Sequence, residues 1–487
     1  MPKRSVRTRV IAIVCRAVSS RKKKRPRDRR HRQLGWMTVR TRLAALNGNG
    51  ILGDVLRLVS GTAGGRLIAL LAMPIVTRLY SPDDFALLAV YLSLVSMGGV
   101  IACLRFDVAI PVAENEADAA HLLVLALTIA ATIAAVLMIV AVTIPDLAAQ
   151  ALSKPALAHW LWLVPVGIFL AASYSALQFW ATRLRRFGTI AVTRITQAAT
   201  GVGAMLALGW AGFAPLGLLL GNMLNNGAGN TRLLVETSRR DRAVLVGVSR
   251  SGLLSVFGKY RRFPLYSVPE ALANIAGLQI PILMIAGLAG NEAGYLLLAQ
   301  QVMTAPMALL GSSIAQVYVS RAPEALKEGR LAEFTLSMLG RLAQIGVAPL
   351  IVAGIVAPFV FPLVFGPEWQ RSGEIISWMV PWMVLQFLAT PISLALHVTR
   401  RQHWAMALHV AGLLLRVLPL LVALRLSNGY LVAGYIAGST LFYAMYLIVV
   451  IYSAGISLRA NIGRAIFGLL FGLSAYSLLI YSLHHGF

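Results

Sequence analysis

The sequence predicts an all-α integral membrane protein of about twelve transmembrane helices, with a thirteenth candidate near the carboxyl end. Three observations predict it. Of 487 residues, 58% are apolar and only 13% are charged, and the mean hydropathy is +0.74, so there is too little polar surface to cover a water-soluble globule. Apolar stretches of about 20 residues recur, each long enough to cross a hydrocarbon core of roughly 30 Å as a helix. The basic residues gather in alternate loops, the pattern of a polytopic chain.

Taken in order, the expected spans are 56 to 76, 86 to 106, 120 to 144, 157 to 179, 188 to 208, 213 to 235, 264 to 288, 294 to 318, 337 to 364, 374 to 398, 404 to 424 and 429 to 452. The thirteenth candidate is 464 to 483. Gly and Pro interrupt several spans, which lipid tolerates where neighbouring helices satisfy the freed backbone groups. Pro264, Pro269 and Pro281 make the seventh the most obviously broken. Loops after odd-numbered spans contain only Arg78, Lys154, Arg371 and Arg425, whereas those after even-numbered spans and the last one hold nineteen Lys or Arg. Because cytoplasmic loops accumulate positive charge, the amino terminus and the connection 236 to 263 are expected inside and the 78 to 84 loop outside. One inside loop, 107 to 118, is net acidic through Asp107, Glu114, Glu116 and Asp118, but acids weigh little in this rule.

The organisation that follows is a basic tail (1-52), six helices (53-235), a basic linker (236-263), six more helices (264-453) and a carboxyl-terminal segment (454-487). Pro74-Ile75-Val76 and Phe85-Ala86-Leu87-Leu88-Ala89 in the first half recur faintly as Pro281-Ile282-Leu283 and Tyr295-Leu296-Leu297-Leu298-Ala299 in the second. Six being even, the halves would share orientation about an axis along the membrane normal.

The formal charge of +26 is half local, since residues 1 to 36 hold fourteen Lys or Arg against Asp28 alone. That reads as a disordered tail lying on anionic membrane lipid, or as an extension ahead of a start at Met37, and as dispensable for the activity of the rest of the chain. A nucleic-acid arm is the lesser alternative, and no nucleic-acid partner is expected. Val10 to Val18 is broken by Arg16 and lacks a cleavage site, so no secretory signal peptide is expected. Cys15 and Cys103 offer neither a disulfide framework nor a thiolate metal site. His397, His403 and His409 lack ligand spacing, and Gly61-Thr62-Ala63-Gly64-Gly65 inside a span reads as close helix packing rather than a phosphate loop. No cofactor, no metal and no ATP hydrolysis are expected.

Four arginines fall inside spans: Arg66, Arg194, Arg341 and Arg416. Arg194 and Arg341 lie roughly 6 to 9 Å from the cytoplasmic ends of their helices, within snorkelling reach. Arg66 and Arg416 lie roughly 15 to 18 Å in, near the midplane, where an arginine costs about 3 kcal/mol even on the lenient insertion scale. Each needs a wet cavity or an anionic partner. Glu270 is the one carboxylate well inside a span, either as an arginine's partner or as a site for a coupled proton or cation. Asn222, Asn226 and Asn230 line one face of the sixth span with Asn225, either gluing helices or bonding sugar hydroxyls.

Three motifs carry a resemblance. Thr77-Arg78-Leu79-Tyr80-Ser81-Pro82-Asp83-Asp84-Phe85, Leu104-Arg105-Phe106-Asp107-Val108-Ala109-Ile110-Pro111 and Lys259-Tyr260-Arg261-Arg262-Phe263-Pro264-Leu265-Tyr266-Ser267-Val268-Pro269 together resemble the oligosaccharide flippase (Wzx-like polysaccharide biosynthesis) family. Ala86 stands where that family often has Gly, and the tail and the thirteenth span lie outside its pattern, which runs from about residue 52 to 452. The resemblance implies the multidrug/oligosaccharidyl-lipid/polysaccharide exporter superfamily, two six-helix lobes around a central cavity, and alternating access in the bacterial inner membrane. It implies an undecaprenyl-diphosphate-linked oligosaccharide as substrate, for O-antigen, capsule or exopolysaccharide assembly, with a polymerase and export machinery as partners. Arginine matches phosphate oxygens bidentately, so Arg66, Arg416 and Arg194 with Asn222 and Asn226 are the candidate substrate contacts and Glu270 the candidate coupling residue. The alternatives are a cation-coupled drug exporter, which would favour an acidic cavity, and a membrane polymerase or ligase, which would need a larger external loop than the roughly ten residues available. The chain is expected not to be an enzyme.

Overall fold

The computed structural model describes residues 51–151, 155–399 and 401–456, with Gly472 and Tyr476. The basic tail as far as residue 50, and the thirteenth span apart from those two residues, lie outside them. The described residues form helices and turns without a β-strand, and from Leu56 onward they belong to one compact unit.

Each of the twelve expected spans falls on a helix. These are α1 (Ile51–Leu79), α2 (Pro82–Ala102), α3 (Glu116–Thr143), α4 (Leu163–Arg183), α5 (Phe187–Trp210) and α6 (Leu216–Arg240). After a linker helix, Arg250–Lys259, come α7 (Phe263–Ala289), α8 (Glu292–Lys327), α9 (Leu331–Phe365), α10 (Gln370–Ala389), α11 (Gln402–Leu426) and α12 (Leu431–Ser453). Among the described residues, nine helices are long and apolar enough to cross a membrane. Of the long helices outside that set, α5 and α6 carry polar residues in mid-helix: Arg194 and Gln197 in the first, the asparagine stripe in the second.

Local chemistry sets the boundaries. Ser81 caps α2: its Oγ accepts from the Asp84 N–H, the Asp84 carboxylate accepts from the Ser81 N–H, and Pro82 sits where no N–H is needed. Asn115 caps α3, its Oδ1 accepting from the Asp118 N–H at 2.6 Å. The seventh span is continuous rather than broken. A π-helical turn, Phe263–Ser267, takes up Pro264, and the helix runs on through Pro269 and Pro281. A widened turn relaxes the spacing around a residue that lacks an N–H, so proline content alone overstates the break. A second π-helical turn, Ala343–Val347, follows the exposed Arg341 within α9.

In the first half α5 packs on α6, α6 on α4, and α4 on α2 and α3; in the second, α9 packs on α10, α10 on α8 and α12, and α11 on α7 and α12. Helix α2 also packs on α7 and α8, and the Ser93 hydroxyl donates to Gln279 Oε1 at 2.9 Å across that seam. The linker helix rests on α3. Lys259 Nζ donates to Glu114 Oε2 at 2.8 Å and to Asp118 Oδ2 at 2.6 Å, while the Phe106 and Phe257 rings lie 5.5 Å apart. Asp118 and then Glu114 hold the Lys259 ammonium above its ordinary range. Segments that lie far apart in sequence thus meet, and two acids of the discordant loop 107 to 118, Glu114 and Asp118, are the partners of a lysine at the end of the linker.

Candidate functional site

Close helix packing builds the site. A Cβ on Gly61 would lie 2.5 Å from Cα of Ala191, and one on Gly65 would lie 3.0 Å from the Arg194 carbonyl oxygen, so only glycine lets α1 approach α5 this nearly. On the other side of α5, a Cβ on Gly201 would lie 2.7 Å from Asn225 Cβ, which brings α6 equally close. Arg66, next to Gly65, stands where α1, α5 and α6 converge.

Two cavities lie along this convergence and a third adjoins them. The first, about 320 Å³, is lined by Arg66, Asn222, Asn225, Gln301 and Thr304 over an apolar floor that includes Val76 and Phe85. The second, about 290 Å³, shares Arg66, Ala69 and Asn225 with the first and adds Arg194, Gln197 and Asn226. The third, about 260 Å³, shares Thr304 and Ala308 with the first and reaches Gln386, Phe387 and Thr390 at the end of α10. Among the described residues, two arginines and no carboxylate line the three.

The two arginines are held differently. Arg194 is fixed: Nη2 donates to Gln178 Oε1 at 2.7 Å, and the guanidinium lies 4.9 Å from the Tyr174 ring centre. Arg66 is exposed to the cavity and makes no hydrogen bond or ion pair among the described residues. The asparagine stripe is partly committed. Asn226 Nδ2 donates to Asn222 Oδ1 at 3.1 Å, Asn230 Nδ2 to the Leu170 carbonyl at 2.8 Å, and Gln197 Nε2 to the Asn226 carbonyl at 3.0 Å.

Of the residues singled out from sequence, the fold brings Arg66, Arg194, Asn222 and Asn226 together and sets two apart. Arg416 is 2% exposed, with its guanidinium 4.2 Å from the Phe442 ring centre and 5.5 Å from that of Tyr443. Its Nε and Nη2 have no hydrogen-bond partner among the described residues, so aromatic faces rather than a carboxylate surround the charge. Glu270 lies in the first turn of the helix Val268–Ala289, lines none of the three cavities and forms no salt bridge among the described residues. Gln301, Thr304 and Gln386 line the cavities without having been singled out, because a lone amide or hydroxyl in an apolar helix gives the same signal as ordinary polar packing.

Beyond Phe85 the cavity floor is backed by Trp369, which ends the one-turn segment Pro367–Trp369 before α10. Its Nε1–H donates to the Thr77 carbonyl at 2.9 Å, and its ring meets Phe85 edge-on at 4.8 Å and Tyr295 at 5.9 Å. Close by, Arg371 pairs with Glu292 at 3.1 Å and Glu374 at 2.9 Å, and a Cβ on Gly294 would collide with the Pro82 carbonyl at 2.0 Å. The first and second halves are therefore pressed together at this end.

The sequence profile of a family described as polysaccharide biosynthesis protein matches residues 75–374. No curated protein matches the chain. Among solved structures, the lipid II flippase MurJ in an inward closed conformation superposes with a TM-score of 0.62 at 12% identity, over 88% of this chain and 99% of that one. An inward-facing multidrug resistance MATE family transporter of the MOP superfamily superposes with a TM-score of 0.58 at 15% identity, over 83% of this chain and 96% of that one. At such identities the likeness is one of fold.

Proposed function

Since this chain belongs to the polysaccharide biosynthesis protein family, we propose that it moves undecaprenyl-diphosphate-linked oligosaccharide repeat units across the bacterial inner membrane by alternating access. Two six-helix lobes would rock about the cavities between them while the polyprenyl tail stays in lipid. The observation that carries the reading is the unpaired Arg66 on a cavity wall with Arg194 nearby and no lining carboxylate among the described residues. A diphosphate supplies the missing anion, and guanidinium forks match its oxygens. An exporter of cationic drugs would need the opposite sign of charge there.

In cells depleted of the protein, lipid-linked repeat units should accumulate on the cytoplasmic leaflet, read by their protection from impermeant periodate in spheroplasts. Accumulation on the outer leaflet would point to a polymerase or ligase instead, and an unchanged distribution would refute the reading.

The loop charges orient it, with the linker 236 to 263 inside and the end bearing Trp369 outside. On that reading a cysteine at Ser238, which is exposed, stays unlabelled by an impermeant maleimide in intact, outer-membrane-permeabilised cells and is labelled after lysis. Labelling before lysis would invert the topology.

A further inference from the structure

We propose that the third cavity, beside the end of α10, is a subsite for an uncharged sugar, separate from the cationic wall that would hold the diphosphate. The inference rests on the diphosphate reading above. Its polar groups are Gln386, Thr390 and Thr304, with Gln301 on the adjoining wall of the first cavity, and no charged side chain lines it among the described residues. Gln386 Oε1 and Gln301 Oε1 are both buried without a hydrogen-bond partner. An amide oxygen accepts hydrogen bonds, and leaving it unpaired away from water is unfavourable until a donor arrives. An ionised diphosphate offers acceptors only and cannot satisfy these atoms. Sugar hydroxyls and acetamido N–H groups donate, and they can once the amides turn toward the chamber.

The rest of the chamber has the complementary character. Phe387 and Met307 supply apolar surface of the kind a pyranose ring packs against with its C–H face. A site that joins a few amides and hydroxyls to an apolar wall is built for a ligand with both kinds of surface. The cavity adjoins the Arg66 chamber through Thr304 and Ala308. A headgroup with its diphosphate against Arg66 and Arg194 would therefore extend its sugars toward α10. The split assigns charge recognition to the first half and sugar recognition largely to the second.

The test compares binding of two probes to the purified full-length protein: polyprenyl diphosphate, and polyprenyl diphosphate bearing N-acetylglucosamine. Wild type should bind the sugar-bearing probe more tightly. Gln386→Met, close to it in volume, should weaken that probe about tenfold, the loss of roughly one hydrogen bond, and leave the sugarless probe within about twofold. Thr390→Val should act in the same direction and guards against a folding defect at Gln386. Equal binding of the two probes by wild type, or the same loss for both in each variant, would overturn the sugar subsite while leaving the diphosphate reading intact. Failure of wild type to bind either probe would overturn both.

Discussion

On the diphosphate reading, replacing Arg66 with alanine is expected to reduce flipping of the lipid-linked substrate by about a hundredfold, in the range set by losing a charge-assisted hydrogen bond worth roughly 1.5 to 3 kcal/mol. Arg66→Lys should keep part of the rate, because lysine retains the charge but loses the bidentate fork. The loss should appear at unchanged protein abundance. Arg66 makes no bond among the described residues, and the packing of α1 on α5 is done by Gly61 and Gly65, so truncation removes no fold contact that the structure shows. Arg416 is the contrast. It is enclosed by Phe442 and Tyr443, and Arg416→Ala is expected to lower thermal stability first and transport only in consequence. The measurement is transport in proteoliposomes alongside melting of the same preparations. A stable Arg66→Ala protein that flips at the wild-type rate would remove the cationic-cavity mechanism even with the family assignment standing.

The second large effect is expected at Trp369. Deleting a buried tryptophan costs about 3 to 5 kcal/mol, and here the lost contacts join the two halves: the bond to the Thr77 carbonyl and the edge-on packing against Phe85. If only about 3 kcal/mol of that falls on the state closed at the Trp369 end, the ratio of closed to open molecules shifts by more than a hundredfold. On the orientation proposed above, Trp369→Ala should therefore admit an impermeant maleimide from outside to a cysteine at Thr304, in a background without Cys15 and Cys103. The same cysteine with Trp369 intact should stay unlabelled. Unchanged protection in the Trp369→Ala protein would mean that the seal lies elsewhere.

What the sequence made legible was set by the range of the interactions involved. The helices were legible because apolar length and loop charge are local properties, and the π-helical turn over Pro264 was not, because it depends on how the backbone relaxes around the ring. Arg66, Arg194, Asn222 and Asn226 stood out singly by depth or by spacing. That they share one set of cavities was out of reach, because it follows from Gly61 on Ala191 and Gly201 on Asn225, contacts between helices far apart in the chain. Depth gave Arg66 and Arg416 the same standing, and only the neighbours separate them: open cavity for one, aromatic rings for the other. The family motifs were recognisable without their physics, and Lys259 reaching Glu114 and Asp118 supplies part of it.

The two helices α5 and α6, set off from the apolar spans by their polar mid-helix residues, are also walls of the first cavity. A chamber walled by amides and a guanidinium is polar, and its effective dielectric stands above that of the surrounding hydrocarbon. Two unit charges 4 Å apart attract by about 1 kcal/mol in water and by up to about 20 in a dry interior. On the diphosphate reading, such a polar chamber would damp the pull of Arg66 on the headgroup relative to a dry interior. The headgroup would then be held only moderately and be free to leave on the far side, whereas a drier, tighter site would retain its cargo and stop the cycle.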